Sequence, residues 1–141
     1  MNESEIDSRK AASQTRITKA VFPDTTNHHD TLFGGTALQW MDEASFISAT
    51  RFSRKSLVTV SSDRVDFEHP VPAGTIVELI AEVTDVGRTS LQVRVEVWVE
   101  SMYQDGRSMA ISGSFKFVAL DSEQRVVVRG VGGLRHHRCG W

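Results

Sequence analysis

The fold is decided by Thr36-Ala37-Leu38-Gln39-Trp40-Met41-Asp42-Glu43-Ala44-Ser45-Phe46-Ile47-Ser48-Ala49-Thr50-Arg51. Apolar residues at Ala37, Leu38, Trp40, Met41, Ala44, Ile47 and Ala49 recur at helical spacing. Phe46 widens that stripe nearly all round, so the helix is expected to be buried on most of its surface. At 1.5 Å per residue it is roughly 24 Å long. Gly34 and Gly35 precede it and leave backbone N–H groups uncovered at its amino end.

Outward from this helix, most of the sequence reads as strand. Leu91, Val93, Val95, Val97 and Val99 alternate with Gln92, Arg94, Glu96, Trp98 and Glu100, a period-2 pattern. Val77, Leu79, Ala81 and Val83 form the inner face of the strand before it, and Gly87-Arg88 supplies the turn of a hairpin. Asp105-Gly106 marks a second hairpin, leading to a strand with Phe115, Phe117 and Ala119. Residues 16–22 and 57–67 are the remaining strands. In residues 57–67 the valines change parity, from Val58 and Val60 to Val65 and Phe67, which predicts a bulge near residues 61–63. A strand, a long helix and four antiparallel strands make an α+β layer structure, one helix covered by a curved sheet of five to six strands. The open edges of such a sheet commonly close on a second copy.

The chain has 141 residues, enough for one domain that buries roughly 68–70% of its unfolded surface without a metal or disulfide staple. Sixteen basic against eighteen acidic side chains give a formal charge of −2, which argues against general nucleic-acid binding. The single cysteine, Cys139, forms no internal disulfide. Residues 1–10 are polar and no run approaches eighteen apolar residues, so neither a signal peptide nor a membrane span is expected. The expectation is a cytoplasmic protein with a flexible segment over residues 1–14, a folded domain over 15–122 and a basic tail over 123–141. That tail carries Arg125, Arg129, Arg135 and Arg138 with no acid after Glu123, whereas the span between Val60 and Asp105 holds nine acids and three bases.

The densest chemical signal is Asp24-Thr25-Thr26-Asn27-His28-His29-Asp30-Thr31-Leu32-Phe33-Gly34-Gly35, a polar loop that ends at the helix start. Exposed N–H donors and the positive end of the helix dipole suit a phosphate, a carboxylate or the carbonyl oxygen of a thioester. Asp42 lies inside the apolar helix between Met41 and Ala44. A buried carboxylate there has a partner or a task, such as general-base catalysis; otherwise Asp42 shares a narrow solvent face with Gln39 and Glu43. His28-His29 and His136-His137-Arg138-Cys139 lack the ligand spacing of a zinc site, so no metal is expected. No nucleophile elbow, Walker motif or dinucleotide fingerprint occurs.

Asn27-x-x-Asp30-x-x-Phe33-Gly34-Gly35, followed by Trp40-Met41-Asp42-Glu43-Ala44, resembles the hotdog-fold acyl-CoA thioesterases, most of all the bacterial YciA group and its animal cytosolic relatives. Asp66-Phe67-Glu68-His69-Pro70-Val71-Pro72-Ala73-Gly74, Val86-Gly87-Arg88-Thr89-Ser90 and Val97-Trp98-Val99 extend the likeness over residues 16–120. The resemblance implies a helix wrapped by a curved sheet, dimers that share active sites, trimers of dimers, and hydrolysis of acyl-CoA to a free acid and CoA, with no cofactor beyond the substrate's own coenzyme A. It places catalysis on Asp42, as base or nucleophile, and on Asn27 reaching from the other subunit. It places carbonyl polarisation on Gly34 and Gly35, and CoA contacts on Thr59, Arg88, Thr89 and Ser90. Asp30 stands where the family usually has glycine, which alters the loop or adds charge near the thioester. Two rivals share the fold: a dehydratase or hydratase using His28 or His29, and a non-catalytic acyl-CoA-binding protein.

Overall fold

The computed structural model describes residues 2–120, so the basic tail lies outside the described residues. Helix α1 (Glu3–Ala12) leads into β1 (Thr15–Ala20), a 3-10 turn (Pro23–Thr25) and the long helix α2 (Gly34–Ser53). Strands β2 (Leu57–Phe67), β3 (Thr75–Val86), β4 (Ser90–Ser101) and β5 (Arg107–Ala119) follow. They form one five-stranded antiparallel sheet in the order β1-β3-β4-β5-β2, which wraps α2 in the hotdog arrangement.

The alternating pattern predicts the core correctly. Val77, Leu79, Ala81 and Val83 of β3, then Leu91, Val93, Val95 and Val97 of β4, face inward with at most 1% exposure. Met41 and Phe52 of α2 are as fully covered, and each large apolar side chain buried this way contributes roughly 1.5–3 kcal/mol. The rest of the buried face of α2 is small: Ala37, Ala44, Ser45, Ser48, Ala49 and Ser53. Small side chains let the helix axis approach the sheet closely. Their hydroxyls are satisfied, Ser45 Oγ by the Asp42 carbonyl (2.9 Å) and Ser48 Oγ by the Ser13 carbonyl (2.9 Å). No helix among the described residues is long and apolar enough to cross a membrane.

Three local expectations are corrected. Gly34 and Gly35 do not precede the helix but form its first turn, and the N-cap residue Phe33 offers no side-chain cap. Residues 1–14 are not a plain flexible segment, because Glu3–Ala12 are helical. Asn2 Oδ1 caps that helix by accepting from the Glu5 N–H (2.8 Å), and acids in its first turn with bases in its last suit the dipole. Lys10 Nζ then donates to the Thr84 carbonyl (2.8 Å), and the Arg9 guanidinium stacks over Phe52 (5.6 Å). The first strand ends at Ala20, leaving Phe22 exposed.

The predicted bulge exists but is double. Register shifts lie between Thr59 and Ser61 and between Asp63 and Asp66. In the second, Arg64 and Val65 oppose Gly113 alone, and Arg64 takes a left-handed φ of 49°. The bulges do not turn both valine sets inward. Leu57 is the buried anchor of β2, Val65 packs partly on the core, and Val60 and Phe67 remain about half exposed. The reason is position: β2 is an edge strand, and beyond Thr59 it borders an open groove.

Candidate active site

A groove of about 520 Å³ runs between α2 and β2. Gly35, Leu38, Gln39 and Asp42 line it from the helix, Thr59, Val60, Ser61 and Ser62 from the strand, and Phe115 closes its back. Asp42 is half-buried in its wall, so it belongs neither to the core nor to a plain solvent face. The Thr59 hydroxyl donates to Asp42 Oδ1 at 3.0 Å. That bond orients the carboxylate and leaves its other oxygen for chemistry. Thr59, which the sequence reading places among the CoA contacts, thus lines the groove and also holds the aspartate.

The start of α2 supplies the complementary charge. The Ala37 N–H makes the first intrahelical bond, to the Phe33 carbonyl (3.0 Å), so the N–H groups of Gly34, Gly35 and Thr36 have no partner inside the helix. Of the three, Gly35 lines the groove together with Asp42, so the positive dipole end lies beside the carboxylate. A Cβ on Gly35 would meet nothing within 4 Å, which leaves its backbone open to a close approach. Gly35 and Asp42 are thus brought to one groove.

Asn27 is not in the groove of its own chain. Its Oδ1 accepts from the His29 N–H (2.9 Å), the Thr31 N–H (3.2 Å) and the Thr31 hydroxyl (3.1 Å). Its backbone N–H donates to the Thr31 carbonyl (2.7 Å), and its carbonyl accepts from the Asp30 N–H (3.0 Å). Asp30 closes this turn with a φ of 57°. Further bonds tie the loop to its surroundings, Leu32 N–H to the Val71 carbonyl (2.8 Å) and Ala73 N–H to the Asp30 carbonyl (2.8 Å). The rings of His28 and His29 meet at a tilt of 44° with centroids 3.8 Å apart, and neither lines the groove.

Arg88, Thr89 and Ser90 also lie outside the groove, in the β3–β4 turn that the Gly87 N–H to Ser90 carbonyl bond (2.7 Å) closes. Ser90 pairs with Val118 and Val118 with Val58, so the turn sits two strands from the start of β2. At about 4.8 Å per strand the separation is roughly 10 Å. Sequence reasoning misses the groove-lining Leu38, Val60 and Phe115 and the bond from Thr59. Only the irregular parity of β2 hinted that this strand borders something other than core.

Residues 29–105 match the thioesterase superfamily, and the chain belongs to that family. Within it, the chain is 42% identical to the uncharacterized acyl-CoA thioester hydrolase YkhA of Bacillus subtilis over 78% of its length and 64% of that protein's. It is 33% identical to the acyl-CoA thioester hydrolase YciA of Escherichia coli over 72% of this chain and 79% of that one. An acyl-CoA hydrolase of Staphylococcus aureus, solved with butyryl coenzyme A and coenzyme A, superposes with a TM-score of 0.80 at 33% identity, covering 85% of this chain and 73% of that one. A hexameric acyl-CoA thioesterase gives 0.81 at 32% identity, over 85% and 77%. Alanine variants of the S. aureus enzyme replace an asparagine, an aspartate and a threonine, and the spacing of the three equals that of Asn27, Asp42 and Thr59.

Proposed function

We propose that the protein hydrolyses acyl-CoA thioesters to a free acid and CoA, at sites shared between two copies of the chain. The observation that carries this reading is Asp42, held by Thr59 in a groove that Gly35, in the first turn of α2, also lines. The thioester carbonyl oxygen accepts from the Gly34–Gly35 turn, which stabilises the charge that develops on it. In one route Asp42 takes a proton from a water whose oxygen attacks the carbonyl carbon. The C–S bond then breaks and the CoA thiolate leaves. In the other, the carboxylate attacks the carbonyl carbon, the C–S bond breaks to release the CoA thiolate, and water opens the resulting anhydride to the free acid and the restored aspartate.

Asn27 completes the site from the second copy, because its loop is pinned away from the Asp42 groove of its own chain. The two sheets join through β2. Of the two edge strands, β2 has eleven residues against six in β1, and it carries the exposed Val60 and Phe67. β1 instead presents Arg16 and Lys19. Three such dimers make a hexamer of the kind seen among the relatives. Arg88, Thr89 and Ser90 meet the nucleotide end of CoA, where a guanidinium suits phosphate. The setting is cytoplasmic.

Thiol release from CoA esters of increasing chain length tests the activity. Asp42→Asn keeps the shape and the Thr59 contact but removes the base. Its kcat should fall at least ~100-fold. A folded Asp42→Asn protein with near-parental turnover would exclude Asp42 as the reacting group.

A further inference from the structure

We infer that Thr31 is a positioning residue: it fixes the Asn27 side chain so that Asn27 meets the substrate only as a hydrogen-bond donor, through Nδ2. The inference rests on the hydrolase reading above. An asparagine amide can turn either end outward, and usually only its surroundings decide which. Here they decide. The His29 and Thr31 backbone N–H groups are obligate donors, and both aim at one atom of Asn27, which must therefore be oxygen. The Thr31 hydroxyl adds a third donor to that atom, beyond its two lone pairs. Turning the amide over would set its two N–H groups against two backbone N–H groups.

Oδ1 is therefore occupied, and no acceptor for Nδ2 occurs among the described residues. The frame is stiff. The Asn27 N–H bond to the Thr31 carbonyl closes the loop, and Thr31 bridges to Pro72. Thr31 thus grips Asn27 through backbone, hydroxyl and carbonyl at once. Toward a bound thioester, Asn27 can hydrogen-bond the carbonyl oxygen or a lone pair of the attacking water, but it cannot accept the water's proton. Proton removal is left wholly to Asp42.

A double-mutant cycle tests this. Thr31→Val keeps the branched shape and removes the hydroxyl, so kcat should fall about fivefold, the worth of one net hydrogen bond, with KM little changed. Thr31→Ser should restore kcat to within about twofold of the parent, and Thr31→Ala serves the cycle if the valine variant does not fold. On an Asn27→Ala background, Thr31→Val should cost nothing further, because its action passes through the missing amide. A full additional loss on that background overturns the role. Substrate-free measurement gives a second check. In a 15N-labelled sample the two Nδ2 proton signals of Asn27 should be sharp and separate in the parent and in Thr31→Ser, and broadened or shifted in Thr31→Val; unchanged signals overturn the inference. A parent that releases no thiol sinks the hydrolase reading itself, whereas an active parent with additive losses sinks only Thr31.

Discussion

Asp42 and Asp30 are both carboxylates in the signature region, yet they answer to different physics. Asp42 was legible because a charge in an apolar helix is expensive without a partner or a task. Its partner was not legible, since Thr59 lies seventeen residues on and only the closure of β2 along α2 brings the two together. Asp30 looks like a chemical change when read as sequence. In the structure it is a backbone requirement: its φ of 57° is left-handed, and aspartate tolerates that region better than most residues other than glycine. Asp30→Gly should therefore leave stability nearly unchanged, as relieved strain offsets the added freedom of the unfolded chain. Asp30→Val places a β-branched side chain at that φ and should cost about 1–2 kcal/mol. Urea denaturation of the three proteins checks the order, and a valine variant as stable as the parent would remove the backbone account.

Among the elements, β3 and β4 were readable almost to the residue because one face is buried along their whole length, so their alternation is unbroken. β2 was readable in extent but not in facing. Its second bulge drives Val65 inward over β5, where a Cβ on Gly113 would lie 2.9 Å from Val65 Cγ2 and 3.4 Å from Met41 Cε. The valine fills the space that a side chain at 113 would take, so glycine at that position and the bulge opposite depend on each other. Gly113→Ala should destabilise the protein by about 1–3 kcal/mol, as overpacking does in a dense core. Val65→Ala opens that space, so in the double variant the loss should be smaller than the sum of the two single losses. Thermal or urea unfolding of the four proteins measures the coupling, and strictly additive losses would refute it. Helix α1 was missed because its signals are local caps and end charges, with no apolar stripe for periodicity to detect.

For the molecule as a whole, the decisive fact is that the described chain holds Asp42 and Gly35 in one groove and Asn27 outside it. Mixed dimers test sharing directly. Asn27→Ala and Asp42→Asn alone should each keep only a small, measurable fraction of the parental rate, whereas a heterodimer of the two should regain one of its two sites, about half the parental rate per dimer. Light scattering on the parent should give at least twice the chain mass, and an active species at 15.7 kDa would end the shared-site reading. The sheet order has a consequence for synthesis as well. Among the described residues β1 pairs only with β3 and β2 only with β5, so each strand in the first half of the chain waits for a partner encoded later. On the ribosome, at about 5–20 residues per second, α2 and its apolar face emerge several seconds before the meander that will enclose them. The half of the chain that carries Asn27 and Asp42 is thus translated first and sheltered last, and for that interval it is the stretch a chaperone would find.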